Sequence, residues 1–243
     1  MSPKNKNHIV SNLFFCIVGL FLIPYISSCG KASTATPNGL DIEYEVLNLS
    51  PDLFPVNLYI NFDIVNTNNP FTFGINQGYF YVPSLPTTAV PYQFRSASVA
   101  ATPLFSMANP LTSGARYTLF IVGDVANNSV TQIFTTDTAT EPAIGRGKVR
   151  FVDASPSGTG GLNVTANGTL AFSNIVYPKY SSYIELPVGN YDFQITATGG
   201  TGSVLNDMPG VTIQDGRLYT LYAYGYTTRI DSAAFNAGLI TNQ

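Results

Sequence analysis

The chain has 243 residues, a formal net charge of −3 and a charged fraction of only 10%. No basic stretch is dense enough to favour nucleic acid as a partner. His8 is the one histidine, and Cys16 and Cys29 are the two cysteines, so residues 30–243 contain neither type. This excludes Ser-His-Asp and Cys-His catalysis and His-ligated zinc from that part of the chain, and we expect no cofactor and no metal.

The N-terminus has the pattern of a secretory signal. Lys4 and Lys6 form a short positive segment, and residues 13–23 form an apolar run interrupted only by Gly19. That run is about half the ~20 apolar residues that a transmembrane helix needs, and Pro24 ends it. We therefore predict that residues 1–28 are a cleaved lipoprotein signal peptide.

The residues that follow predict lipid attachment. Residues 26–30, Ile-Ser-Ser-Cys-Gly, resemble the lipobox of bacterial lipoproteins. The resemblance implies cleavage directly before Cys29 and acylation of Cys29 with palmitate-type chains, so that a lipid anchor binds the protein to a membrane. Residue 30 is Gly rather than Asp, which implies the outer membrane and leaves open which side the chain faces. Residues 29–40 are mostly small and polar and predict a flexible tether.

The rest of the chain contains an internal repeat with a period of roughly 100 residues, about one domain length. Five landmarks recur in the same order. The matched segments are 46–51 with 151–156, 56–58 with 162–164, 79–83 with 183–187, 92–94 with 191–193, and 114–123 with 216–225. Five ordered matches indicate two copies of one domain.

Each copy has the pattern of short strands. Tyr191, Phe193 and Ile195 alternate with polar residues, which is typical of a strand buried on one face. No long 3.6-residue periodicity occurs after residue 40, so we expect almost no helix. The sequence predicts an all-β fold with domains at 41–137 and 147–243, joined by a Pro-containing linker at 138–146.

The second copy resembles a known family. Residues 147–156, 167–172, 186–191 and 219–221 resemble the signature of domain-of-unknown-function family 4397. The resemblance covers about residues 148–226 well and reaches 41–136 only through the internal repeat. It implies immunoglobulin-like β-sandwiches, often in tandem, on secreted and lipid-anchored envelope proteins. It supplies no catalytic residues.

Tyrosines are the candidate ligand contacts. Within residues 219–226, alternation puts three tyrosines on one face of a strand and Tyr219 on the other. These tyrosines either pack a core with their hydroxyls at its rim or form an exposed stacking surface for a sugar or peptide. The candidate residues are Tyr222, Tyr224, Tyr226, Tyr79 and Tyr81.

Two further features bear on function. Asp153, Glu185 and Asp192 are candidates for a glycosidase-type carboxylate pair, although each is expected to face solvent and spacing alone brings no two together. Residues 66–90 of copy one are Asn-rich and longer than their counterpart. They predict an extended loop, which is either a solvated insertion or a recognition surface.

These patterns predict a lipid-anchored envelope protein that is not an enzyme. Its two domains would serve as a binding or structural module for a glycan or protein partner. Two alternatives remain open: a fimbrial subunit or adhesin that exchanges strands through an open sheet edge, and an envelope hydrolase that uses carboxylates alone.

Overall fold

The computed structural model describes residues 40–83, 92–98, 102–107, 111–157, 160–200 and 202–243. The predicted signal peptide, Cys29 and nearly all of the predicted tether lie outside these ranges. The described residues form seventeen β-strands and no helix. Accordingly, no helix in this part of the chain is long and apolar enough to cross a membrane.

The first half of the folded unit is a sandwich of two four-stranded sheets. One sheet has the order β4-β1-β7-β8 and the other the order β3-β2-β5-β6. The strands are β1 (Leu40–Asn48), β2 (Val56–Ile60), β3 (Asp63–Ile64), β4 (Phe80–Pro83), β5 (Tyr92–Ser96), β6 (Phe105–Met107), β7 (Arg116–Val122) and β8 (Thr131–Thr136). β1 runs antiparallel to β4 and parallel to β7.

The second half repeats this plan. One sheet has the order β12-β9-β16-β17, with β13 also paired to β9, and the other has the order β11-β10-β14-β15. The strands are β9 (Arg146–Ala154), β10 (Leu162–Ala166), β11 (Thr169–Ile175), β12 (Lys179–Tyr180), β13 (Ile184–Pro187), β14 (Gly189–Ala197), β15 (Val204–Ile213), β16 (Leu218–Tyr224) and β17 (Asn236–Thr241). β9 runs parallel to β16, as β1 does to β7. The predicted all-β fold of two tandem sandwiches is confirmed.

Side-chain alternation gives each sandwich its own core. Tyr44 and Leu119 point into the first core, and Phe151 and Leu221 point into the second. Because successive strand residues face opposite sides, the residues between them point outward from the same sheets. Most of those outward residues on β1, β7, β9 and β16 are also buried, so the sheets to which they belong are covered on both faces over most of their length.

Equivalent strands of the two sandwiches run in the same direction. At one end, the Arg116 side chain at the start of β7 donates to the backbone carbonyl of Asn242, which follows β17. At the other end, the Tyr226 hydroxyl beyond β16 donates to Asp124 beyond β7. We call the end where β1 begins the entry end, and the opposite end the far end.

Candidate functional site

A third apolar cluster lies between the two sandwiches. It is built from the outward faces of β1, β7 and β8 on one side and β9, β16 and β17 on the other. The buried members are Leu47, Leu49, Phe120, Val122, Ile133, Val152, Ala154, Tyr222 and Ile240. The aromatic rings of Phe120 and Tyr222, which occupy equivalent repeat positions, have their centroids 5.7 Å apart. The two copies therefore pack through equivalent faces, as the subunits of a two-fold dimer do.

A buried ion pair crosses this interface towards the entry end. The Arg150 guanidinium on β9 pairs with the Asp137 carboxylate, which follows β8, and both side chains are at most 2% exposed. Arg150 also donates to the backbone carbonyl of Thr136 at 2.7 Å and to the Thr220 hydroxyl at 2.9 Å. Asp137 accepts from the hydroxyls of Thr118 and Tyr79 at 2.6 and 2.7 Å. A buried pair with this many partners leaves little uncompensated charge.

The second copy has a neutral version of the same arrangement. Asn242 takes the position of Asp137, and its side-chain oxygen accepts from Thr220 at 2.6 Å and from the Tyr183 hydroxyl at 3.4 Å. Its amide nitrogen donates across the interface to the Tyr79 hydroxyl at 2.8 Å. A Tyr-Thr-Asp set in one copy is thus hydrogen-bonded to a Tyr-Thr-Asn set in the other.

The equivalent of Arg150 in copy one is Glu45, and it also faces the interface. Glu45 is 1% exposed, and neither carboxyl oxygen makes a hydrogen bond of normal geometry. Burial, together with the nearby Asp137, raises its pKa to about 7, against smaller opposing effects of Asn76 and Thr118. The protonated form of Glu45 is therefore present at neutral pH, which lowers the cost of enclosing it.

The structure places the candidate tyrosines of β16 mainly inside the protein. Tyr222 is 6% exposed in the interface cluster, and Tyr224 packs against that cluster. Tyr219 points into the second core, which confirms the predicted alternation of faces. Tyr226 is half-buried at the far end, where burial and the Asp124 carboxylate raise its pKa. Their role as ligand contacts remains a prediction.

The two candidate tyrosines of copy one differ in exposure. Tyr79 is half-buried, and its hydroxyl is hydrogen-bonded within the interface network. Burial and the nearby Asp137 carboxylate raise its pKa. Tyr81, two residues later on β4, is 51% exposed. Tyr81 is therefore the most accessible of the five predicted ligand contacts.

Asp153 does not face solvent as expected. It is 2% exposed near the end of β9, where its carboxylate accepts from the Ser155 backbone N–H at 3.0 Å. The expectation was wrong because Asp153 lies on the same side of β9 as Phe151, which points into the second core, so that residues of its own sandwich cover it. Burial raises the pKa of Asp153 to about 7, and the lining of a far-end pocket of 340 Å³ includes Asp153 and Tyr177.

The three candidate carboxylates are not brought together. Glu185 on β13 pairs in register with Lys148, five residues before Asp153 on β9, which is about 16 Å along a strand. Asp192 is exposed and belongs to the other sheet, where it accepts from the Gly210 backbone N–H. A glycosidase needs its two carboxyl groups within about 5–9.5 Å, and this spacing does not supply them.

The Asn-rich segment of copy one is described for residues 66–83, and its remainder lies outside the described ranges. Asn66 folds it back onto β2 by accepting from the Leu58 backbone N–H at 2.9 Å. The segment lines a surface pocket of 230 Å³, to which Asn66, Phe71 and Phe80 contribute. The described residues contain no cluster of three or more His, Cys, Asp or Glu side chains placed to hold a metal ion.

The sequence patterns did not reveal the interface network. The available signal was a charged residue directly before or within the apolar part of a strand at equivalent repeat positions, Glu45 in copy one and Arg150 in copy two. A second signal was the apolar character of both faces of β7 and β16, which is typical of strands that are buried on both sides.

The fold and its internal face define a class: tandem β-sandwich proteins whose two halves are joined through equivalent faces. A model of a domain-of-unknown-function family, DUF4397, matches residues 43–159 and again residues 157–243. The chain therefore belongs to this family, in two copies. The first match extends to residue 159 and so includes β9, although β9 pairs with β12, β13 and β16 of the second sandwich. The family matches therefore place the boundary between the copies later in the chain than the strand pairing does. No curated protein matches the chain significantly.

Proposed function

We propose that this chain is a lipid-anchored outer-membrane protein whose two sandwiches act as one rigid, non-enzymatic module that binds or supports a glycan or protein partner. The observation that carries the proposal is the interface between the sandwiches. A large apolar contact between domains restricts their relative motion, whereas small polar contacts permit it. Here an apolar cluster and the buried Arg150–Asp137 pair join the two halves.

The positions of the polar groups also support a non-enzymatic role. Among the most buried Asp and Tyr side chains, Asp137 pairs across the interface, and Tyr44 and Tyr219 pack in the two cores. The candidate carboxylates Asp153, Glu185 and Asp192 are spread over two sheets and three strands. This arrangement suits a support or binding surface better than acid–base hydrolysis.

Strand exchange, the mechanism of the fimbrial alternative, has less support. β1 pairs with β4 and β7, while β8 and β17 pair with β7 and β16 of their own sandwiches. Each terminal strand of the two domains thus has a partner in its own fold, whereas a donated strand would need an open position.

The anchor is tested by metabolic labelling with an alkyne analogue of palmitate, followed by membrane fractionation. The wild-type chain is expected to carry the label and to sediment with outer membranes. Cys29→Ser should abolish the label, whereas Cys16→Ser, which changes the other cysteine, should keep it. A label that survives Cys29→Ser would contradict the proposal.

The binding role is tested with arrays of envelope glycans and pull-down on isolated peptidoglycan. If Tyr81 contacts the ligand, Tyr81→Ala should weaken retention roughly tenfold, the scale of about 1.4 kcal/mol. Tyr222→Phe, which keeps the buried ring, should leave retention unchanged. No binding under any condition would reject the binding role and leave a structural one.

A further inference from the structure

The two copies differ at one hairpin tip in a way that the fold does not require. β2 and β3 are joined by Asn61-Phe62, and β10 and β11 by Asn167-Gly168. Both tips have positive φ angles, 51° and 71° in copy one and 49° and 78° in copy two. Two-residue hairpin turns of this kind favour Asn followed by Gly, the pair that copy two has. Copy one has Phe where copy two has Gly168.

Phe62 is poorly suited to this position on conformational grounds. A φ of 71° is strained for a bulky L-residue and costs nothing for glycine. Packing of the ring does not offset this strain, because the Phe62 side chain is 69% exposed. An aromatic ring held in solvent on a strained turn suggests that the ring itself is used.

Other apolar side chains are exposed at the same end of the molecule. β2 starts at the far end beside the end of β1, so the β2–β3 tip lies at the entry end. Ile144, on the turn before β9, is 98% exposed, and Val188, between β13 and β14, is 47% exposed. The Val188 backbone N–H donates to the Gly145 carbonyl at 3.0 Å, so these two segments are neighbours.

A pocket adds to this apolar surface. It has a volume of 310 Å³ and lies beside the Asn167-Gly168 hairpin, where Leu170, Leu186 and Tyr191 contribute to its lining. Leu186 pairs in register with Gly147 near the start of β9, which places the pocket towards the entry end. Leu170 itself is 56% exposed.

The segment that connects Cys29 to β1 joins the folded unit at the entry end. Ten residues separate Cys29 from Leu40, the first residue of β1. A chain of that length spans at most about 35 Å when fully extended, and about 18 Å on average if it is flexible. An acylated Cys29 would therefore hold the entry end within that distance of the lipid headgroups.

We infer that the entry end contacts the bilayer, with Phe62, Ile144 and Val188 inserted at the headgroup–acyl boundary. This inference rests on the proposed lipid anchor. Asp215 and Arg217 both belong to the β15–β16 turn at this end, so charges of both signs are present. The contact is therefore expected to depend on apolar burial and little on ionic strength.

The absence of Trp from the sequence makes the test direct. The full-length protein carries Phe62→Trp in one variant and Phe54→Trp in the other. Phe54 is 64% exposed and precedes β2 at the far end, so it is a matched control. Each acylated protein is reconstituted into vesicles of phosphatidylcholine and phosphatidylglycerol, with or without brominated acyl chains, and its fluorescence is recorded.

Brominated lipid is expected to quench the Phe62→Trp variant roughly twofold and to leave the Phe54→Trp variant unquenched, since an interfacial Trp lies within reach of the acyl chains. Equal emission from the two variants in vesicles that carry the protein, or quenching of the Phe54→Trp variant alone, would overturn the inference and leave the anchor intact. Failure of the protein to float with vesicles would instead refute the anchor and this inference with it.

Discussion

The two sandwiches share strand order, strand direction and the face through which they meet, yet they differ at the positions where polar chemistry is concentrated. At the interface, Glu45 and Asp137 of copy one correspond to Arg150 and Asn242 of copy two. The repeated apolar positions thus specify the fold. The divergent polar positions give each copy a separate role in the joined unit.

A second set of differences lies away from the interface. Asn48 of copy one, whose amide donates to the Phe71 carbonyl at 3.3 Å, corresponds to the buried carboxyl of Asp153. The hairpin tip of copy one carries Phe62 in place of Gly168. In each pair, one residue can be replaced by its counterpart from the other copy with a single substitution, so the effect of each difference can be measured.

Removal of the Asp137 charge from the buried ion pair should have the largest effect on stability. Asp137→Asn leaves Arg150 buried without its counter-charge, and we expect the free energy of unfolding to fall by about 3–5 kcal/mol. Glu43→Gln is the control, because it breaks the partly exposed Arg116–Glu43 pair and should cost less than about 1 kcal/mol. Urea denaturation measures both. Equal losses would show that the buried pair is not integral to the interface.

The next effect concerns the close contact between Gly238 and Tyr222. A Cβ at Gly238 would lie 2.3 Å from the Tyr222 ring, whereas the equivalent pair in copy one is Ile133 opposite Phe120. Gly238→Ala should therefore destabilise the protein by about 1–3 kcal/mol through overpacking. In a Tyr222→Leu background the same change should cost nearly nothing. An unchanged cost in that background would exclude the ring contact as the cause.

The exchange of Asp153 for the residue of copy one tests the pH dependence. With its pKa raised to about 7, Asp153 binds its proton more tightly when folded than when unfolded. The stabilisation that comes from this tighter proton binding is therefore fully present below about pH 4, where the carboxyl is protonated in both states. It is lost as the pH rises to about 7. Asp153→Asn should stabilise the protein by ~1–3 kcal/mol at pH 8 relative to its effect at pH 4. Chemical denaturation at both pH values measures the difference, and a difference of the opposite sign would contradict the assignment.

The smallest effect is expected at the hairpin tips. Phe62→Gly relieves a strained turn and should raise the free energy of unfolding by roughly 0.5–1 kcal/mol, while Gly168→Phe should lower it by a similar amount. Thermal melting of the two variants beside the wild type provides the measurement. If Phe62→Gly destabilised the protein, the ring would have a packing role that its exposure does not show.

The fold was predictable because two kinds of signal agreed. The ordered landmarks of the repeat indicated two domains, and alternation in the tyrosine-rich strand correctly separated Tyr219 from Tyr222 and Tyr224. The contact between the domains was not predictable in the same way. Alternation specifies which face of a sheet is apolar but not what covers the other face. The solvent-facing expectation for Asp153 failed for a separate reason, because Asp153 shares the core-facing side of β9 with Phe151 and is enclosed at the far end by residues of its own copy.

The covalent link between the two copies has an evolutionary consequence. In a symmetric homodimer every contact between two different residues occurs twice, because a substitution in one subunit is also present in the other. In this chain the Arg150–Asp137 pair occurs once, and the corresponding positions are Glu45 and Asn242. Within one polypeptide each half can mutate alone, and the buried ion pair has its cation in one half and its anion in the other.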